Sequence, residues 1–263
     1  PGADEATPAR ADALVRAGAF AIYQADYEAA RPRIEESLAL YRHLHYEKGI
    51  ARALSGLAVV TTYLGDNAVA RACYEESLAR YEALGQKRGQ ANVLHNLGLL
   101  ASGEGRPTEA IAHFEAALAL LGTLGDRQHM ALTLAAIAGA EVKLGNIVGA
   151  HAKLTLCLAL ALEVGAERET LHGIEGTIEL AARCGRPGEA AWLLAASAAM
   201  RQRLGSPPDP TESAMRRALE VEISTALGEL AYSEICLAGA AADPGKVVES
   251  TRQVLSALDL NPN

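Results

Sequence analysis

The sequence predicts an all-α fold: a right-handed superhelical solenoid of antiparallel helix pairs, closed at its C-terminal end by capping helices. Three observations predict this class. The 263-residue chain repeats every 40 residues without insertion, apolar residues recur at three- and four-residue spacing within each repeat, and glycine stands where helices must end. We expect an N-terminal linker over residues 1–8, five repeats over residues 9–205 and a helical cap over residues 206–263. The five units are about 9–45, 46–85, 86–125, 126–165 and 166–205.

The 40-residue period is visible as columns of residues that share one chemical character. One column is invariant alanine, and the column four residues later is large and apolar. The alanine indicates a close crossing of two helices, and the larger residue fills the space beside that crossing. The two columns are Ala30, Ala70, Ala110, Ala150 and Ala190, and Ile34, Tyr74, Phe114, Leu154 and Leu194.

Two further features predict the helix ends. Glycine columns, at Gly65 to Gly185 and at Gly85 to Gly205, suit the left-handed residue that follows a helix. In three copies the residue that follows the first glycine column is expected to cap the second helix of the unit. In the other two copies a proline is expected to open that helix. We expect Pro32 to kink or loosen the second helix of the first unit. The capping residues are Asp26, Asp66 and Asn146, and the opening prolines are Pro107 and Pro187.

After Gly205 the period ends, and proline preceded by aspartate marks two new helix starts. We expect residues 207–210 to form a linker and helices to follow over about 210–227, 229–241 and 244–258. A terminal repeat leaves an apolar face uncovered, so these helices are expected to cap the last repeat.

The columns make each unit resemble a tetratricopeptide repeat. The small residues Gly18, Ala58, Gly98 and Ala138 match that family's signature, as does the segment Leu94–Gly98 followed by Ala110 and Phe114. The family's unit has about 34 residues, so a 40-residue unit implies longer helices. The resemblance implies a module that binds a protein or peptide partner.

The tail carries a second resemblance. The segment Ala191–Leu194, followed by Met200–Arg201, Leu204–Gly205 and Ala226–Gly228, is similar to the C-terminal end of bacterial nucleotide-switch regulators of the STAND/LuxR type. This resemblance implies a cytoplasmic sensor arm whose partner is an upstream nucleotide-binding domain of the same chain. The first residue is Pro1 rather than Met, and we therefore expect a segment of a longer regulator.

Composition argues against other classes of function. The chain has 32 acidic and 24 basic residues, a net charge of −8 and a pI near 5.4, so neither a nucleic-acid partner nor an anionic membrane surface is expected. No apolar run approaches the roughly 18 residues of a spanning helix. The four cysteines lack metal-ligand spacing and are expected to be reduced thiols in the core.

No catalytic constellation is visible in the sequence, which lacks the GxxxxGK[ST], GxSxG and HExxH motifs. His43 and His45 are two residues apart, which does not place both on one helix face. Glu175 and Glu179 are one turn apart, but no nucleophile accompanies them. We expect a non-catalytic protein without a metal or cofactor.

The tetratricopeptide resemblance implies that partner contacts come from fixed positions of each first helix. Asn side chains at these positions can pair with a peptide backbone, and Arg can bind a carboxylate with two hydrogen bonds. An ordinary solvated face is the alternative. The positions are Asp12, Arg16, Arg52, Asn92, His95, Asn96, His172, Glu175 and Glu179.

The second helix of the fourth unit is apolar nearly all round, which suggests that its outward side is buried against something. The outward residues are Ala152, Thr155, Leu156 and Ala159. Packing under the C-terminal cap is one explanation. The other is a contact in a homodimer or between domains, which would make the chain a structural scaffold or oligomerisation unit. Trp192 is also outward and is expected to be covered by the tail helices.

Overall fold

The computed structural model describes residues 7–206 and 210–258, without the side chains of residues 210–212. This part of the chain is all-α, as the sequence predicts, and contains thirteen helices. Most of residues 1–8, the linker at 207–209 and residues 259–263 lie outside the described residues. The helices are α1 (Pro8–Tyr23), α2 (Tyr27–His43), α3 (Glu47–Tyr63), α4 (Asn67–Ala83), α5 (Lys87–Gly103), α6 (Pro107–Leu124), α7 (Arg127–Lys143), α8 (Ile147–Glu163), α9 (Glu167–Arg183), α10 (Pro187–Arg203), α11 (Pro210–Leu227), α12 (Glu229–Ala240) and α13 (Pro244–Ala257).

The chain divides into two compact units, Pro1–Leu124 and Gly125–Asn263, called unit 1 and unit 2. In each repeat we call the first helix helix A and the second helix B. Unit 1 contains three A/B pairs, in which α2 also packs on α3 and α4 on α5. Unit 2 contains two pairs, in which α8 packs on α9, and the three tail helices.

The alanine and large apolar columns form the core, as predicted. Ala30, Ala70 and Ala110 are fully buried, as are the side chains that follow them by one turn. Gly98 shows why a small residue faces this column, because a Cβ atom there would lie 2.4 Å from Cε1 of Phe114. In the fifth repeat the position that corresponds to Gly98 holds a large residue, Ile178, which is buried and packs in the unit 2 core with Leu194.

The turns follow the glycine columns. Both columns have positive φ throughout, and the two positions without glycine, Ala25 and His45, adopt φ of 58° and 51°. Asp26 and Asn146 cap their helices by accepting backbone N–H bonds at 3.1 Å. Asp66 does not, and that prediction is wrong. Its carboxylate lies instead 3.7 Å from the Arg31 guanidinium.

Pro32 does not break the helix that contains it. Helix α2 runs from Tyr27 to His43 through the proline. Pro32 has no N–H to donate to the carbonyl of residue 28. One residue further on, the Arg33 side chain donates to the carbonyl of Ala29. The second helix of the first repeat therefore tolerates the proline as a single element.

The tail helices cover the last repeat. Helix α12 packs along α10, and Gly239 lies so close that a Cβ atom would be 2.3 Å from the Trp192 carbonyl oxygen. Trp192 is half-buried and packs against the unit 2 core, as Ile235 and Cys236 of α12 also do; cover of its side chain by the tail helices stays a prediction. Helix α13 contacts α8, α9 and α10.

The cysteines are less uniform than expected. All four are free, but only Cys157 is buried, while Cys73, Cys184 and Cys236 are partly exposed. Burial raises the pKa of Cys157 to about 12, so this thiol stays protonated at neutral pH. Within residues 7–206 and 210–258, no helix combines the length and apolar character that crossing a membrane requires.

Candidate partner-binding faces

A polar cluster in unit 1 joins two helix-A residues, Asp12 and Arg52, to Tyr41 of helix B. Tyr41 donates to the Asp12 carboxylate at 2.5 Å, and Arg52 donates to both Asp12 and the Tyr41 oxygen. The hydrogen bond from Tyr41, followed by that from Arg52, lowers the pKa of Asp12. Arg52 was predicted to bind a partner, but its guanidinium is already paired inside the protein. Sequence reasoning missed Tyr41, which lies on helix B.

Three other predicted residues have polar groups available to a partner. Arg16 and Asn92 are exposed and Asn96 is half-buried. Among the residues that the structure describes, none of the three has a hydrogen bond or ion pair. Arg16 acts at longer range on Asp12, whose pKa its charge helps to lower. These side chains can therefore donate hydrogen bonds to an incoming ligand without first breaking internal ones.

Apolar groups flank the two asparagines. The His95 ring lies 5.4 Å from the buried Phe114 ring, at an interplanar angle of 52°. Leu99, one turn along α5 from His95, is 50% exposed. We call Arg16, Asn92, His95, Asn96 and Leu99 the unit 1 face. In this set Arg16, Asn92 and Asn96 supply polar donors that have no partner among the described residues, and Leu99 supplies exposed apolar surface.

Of the predicted positions in unit 2, Glu175 is bound by the tail. The Glu175 carboxylate accepts from Arg201 at 2.6 and 2.8 Å and from Arg216 of α11 at 3.0 Å. Arg216 also donates to Ser197 Oγ at 3.1 Å and to the carbonyl of Leu194 at 3.0 Å. His172 Nδ1 lies 3.8 Å from Glu175. Glu175 thus holds α11 against the last repeat.

A cavity of about 400 Å³ lies between α9 and α11. Glu179 lines it, and burial raises the pKa of this carboxyl above its ordinary 4.5, although Arg183 and Lys143 act in the opposite direction. Glu222 of α11 adds a second negative charge that raises this pKa further. Among the described residues no cluster of three or more His, Cys, Asp or Glu side chains could hold a metal ion.

The outward side of α8 is open. Leu156 is 47% exposed, and Ala152, Thr155 and Ala159 are exposed as well. Helix α13 contacts α8 elsewhere, where His151 Nε2 lies 3.0 Å from the Leu255 carbonyl oxygen. The described part of the tail therefore leaves this patch uncovered, which argues against packing under the cap as the reason for its apolar character.

Comparison with known proteins agrees with the fold. Residues 9–83 and 91–120 match the tetratricopeptide repeat family, so the chain contains tetratricopeptide repeats over both segments. A search of curated protein sequences finds no match.

Several solved structures share the architecture at low sequence identity. Aspartyl phosphate phosphatase F from Bacillus subtilis aligns with a TM-score of 0.67 and 17% identity over 96% of this chain, which spans 62% of the phosphatase. A Rap protein complexed with Competence and Sporulation Factor gives 0.63 and 13%, covering 94% of this chain and 76% of that protein. BtubC from P. vanneervenii aligns with a TM-score of 0.59 and 16% identity, covering 96% of this chain and 95% of BtubC. These similarities establish an all-α helical-repeat solenoid.

Proposed function

We propose that this protein is a non-catalytic module that binds a protein or peptide partner through the unit 1 face. The proposal rests on Arg16 of α1 and on Asn92 and Asn96 of α5, whose polar groups have no partner among the described residues, and on exposed Leu99, which lies about one turn beyond Asn96 on α5. An extended peptide offers the matching groups, because its backbone pairs with asparagine amides and a carboxylate pairs with Arg16. A Rap protein of the same architecture has been solved in complex with Competence and Sporulation Factor, which is consistent with this kind of use.

A selection experiment tests this proposal. Peptides are selected from a random display library on the wild-type protein, and their affinities are then measured for the double variant Asn92→Ala/Asn96→Ala. Loss of two hydrogen-bonding side chains should weaken binding roughly tenfold or more. Gln86→Ala is the matched control, because this exposed amide makes no capping bond. Binders that tolerate the double variant, or a selection that yields none, contradict the proposal.

The module is further proposed to be the sensor arm of a larger bacterial regulator in the cytoplasm, where partner binding biases an upstream nucleotide-binding domain. The similarity of Ala191–Leu194 and the following tail segments to such regulators supports this role. The gene sequence ahead of the Pro1 codon is the test. A GxxxxGK[ST] loop within the preceding few hundred codons is expected, and a start codon directly ahead of Pro1 contradicts the role.

A second candidate function is a structural scaffold or homodimer that associates through α8. The observation that favours it is the exposed patch of Ala152, Thr155, Leu156 and Ala159, which the tail leaves uncovered. Light scattering over a range of concentrations tests it, together with Leu156→Asp. A mass of one chain, 27.5 kDa, at every concentration excludes self-association through this patch.

A further inference from the structure

One face of α1 differs from the equivalent face of the helices that follow it. Ala13, Ala17 and Phe20 lie on one side of α1, and all three are exposed, Phe20 to 63%. The residues 40, 80 and 160 positions later are all buried. For Phe20 these equivalents are Val60, Leu100 and Leu180, each at most 3% exposed.

The buried equivalents share one cause. In each case the helix B of the preceding repeat packs on that helix A: α2 on α3, α4 on α5 and α8 on α9. Ala13, Ala17 and Phe20 therefore form the apolar side that a stacked helix A buries, but no described helix covers them. Because the same contact occurs three times inside the protein, it defines the geometry and chemistry of the element that fits α1.

Ala9 limits the side chain that a covering helix can place opposite it. At the equivalent positions Gly49 and Gly89, an added Cβ atom would lie 2.4 and 2.5 Å from the rings of Tyr41 and Tyr81, respectively. Residue 9 is alanine, so an aromatic ring from a preceding helix does not fit there. In α8 the residue that corresponds to the two tyrosines is Ala161, which is fully buried.

We propose that the exposed side of α1 is a stacking surface for an amphipathic helix of the helix-B type, from a helix pair that continues the repeat array ahead of α1. The helix carries a small or aliphatic residue opposite Ala9 and apolar residues along Ala13, Ala17 and Phe20. This surface is separate from the unit 1 face, and the inference does not depend on the proposed function.

A chimera tests the proposal with the chain's own helices. Residues 127–168, which contain α7 and α8, are duplicated directly ahead of residue 9, which preserves the 40-residue period. Hydrogen exchange of the α1 amides should slow at least tenfold compared with the unextended chain, because covered helices open less often. Phe20→Glu should abolish this gain in the chimera and leave exchange in the unextended chain unchanged.

A matched control isolates the contact at residue 9. In the duplicated segment only, the copy of Ala161 is replaced by tyrosine. This substitution should also abolish the slowing of α1 amide exchange. Unchanged α1 exchange in the chimera, or a gain that survives Phe20→Glu, overturns the proposal. Sedimentation of the unextended chain supplies the last arm: a dimer that Phe20→Glu dissociates would make a second copy the occupant and would overturn the proposal as well.

Discussion

At the scale of single residues, the charged side chains of the A helices are of two kinds, those paired inside the protein and those open to a ligand. Asp12, Arg52 and Glu175 are bound by other side chains of the protein, whereas Arg16 is not paired with any described residue. Their positions in the repeat are similar, so sequence register alone does not distinguish a structural ion pair from a ligand contact. The difference comes from partners on other helices, such as Tyr41 and Arg201.

Glu175→Gln should destabilise unit 2. The substitution removes the negative charge that Arg201, whose side chain is only 8% exposed, and Arg216 both bind, and removing one member of a buried ion pair costs about 3 kcal/mol. Urea denaturation measures the loss. Glu115→Gln, at an exposed position, is the control and should change the free energy of unfolding by less than about 0.5 kcal/mol. An equally small effect at Glu175 would show that the ion pair contributes no net stability.

Glu179→Gln should have the opposite sign and depend on pH. The folded protein raises the pKa of Glu179 above 4.5, so the folded state binds a proton more readily than the unfolded state. This carboxyl therefore lowers stability as pH rises through its folded pKa. Glutamine should stabilise the protein at pH 7, and the gain should disappear as pH falls to about 4.5 and below.

Denaturation of wild type and Glu179→Gln across this pH range measures the difference. Exposed Glu167, on the same helix, supplies the control Glu167→Gln, whose effect should be small at every pH. A variant that is less stable than wild type at pH 7 would mean that Arg183 and Lys143 outweigh the cost of burial.

At the scale of elements, the contact between α10 and α12 depends on one glycine. Gly239→Ala would place a Cβ atom 2.3 Å from a backbone oxygen that cannot move away as a side chain would. We expect a loss of about 2 kcal/mol and a red shift of fluorescence from Trp192, the chain's one tryptophan.

Gly139→Ala is the matched control for this substitution. Gly139 is also helical, but its added Cβ atom meets nothing within 4 Å. Alanine favours the helix, so this variant should gain up to about 1 kcal/mol with no change in fluorescence. Equal effects of the two variants would show that α12 does not pack closely on Trp192.

The elements also show what sequence could predict. The repeat columns predict α1 to α10 and most of their turns, because the same steric requirement recurs every 40 residues. Two of the three tail helices, α11 and α13, follow from local proline and aspartate signals. The contacts of the tail do not, because Arg216 reaches Glu175 from 41 residues away and belongs to no repeated column. For the same reason the cavity beside Glu179 was not foreseen.

At the scale of the whole molecule, two surfaces compete for the role of partner site. The unit 1 face offers Asn92 and Asn96 on the same helix as exposed Leu99, and the α8 patch offers exposed apolar surface at Leu156. The two leucines are 50% and 47% exposed, which makes them a matched pair of reporter positions.

Photo-crosslinking tests the claim that a peptide binds the unit 1 face. A photoreactive phenylalanine analogue replaces Leu99 in one protein and Leu156 in another, and each protein is irradiated with the peptides selected on wild type. We predict crosslinks at position 99 and none at position 156. Crosslinks at position 156 alone, or at neither position, would contradict the claim.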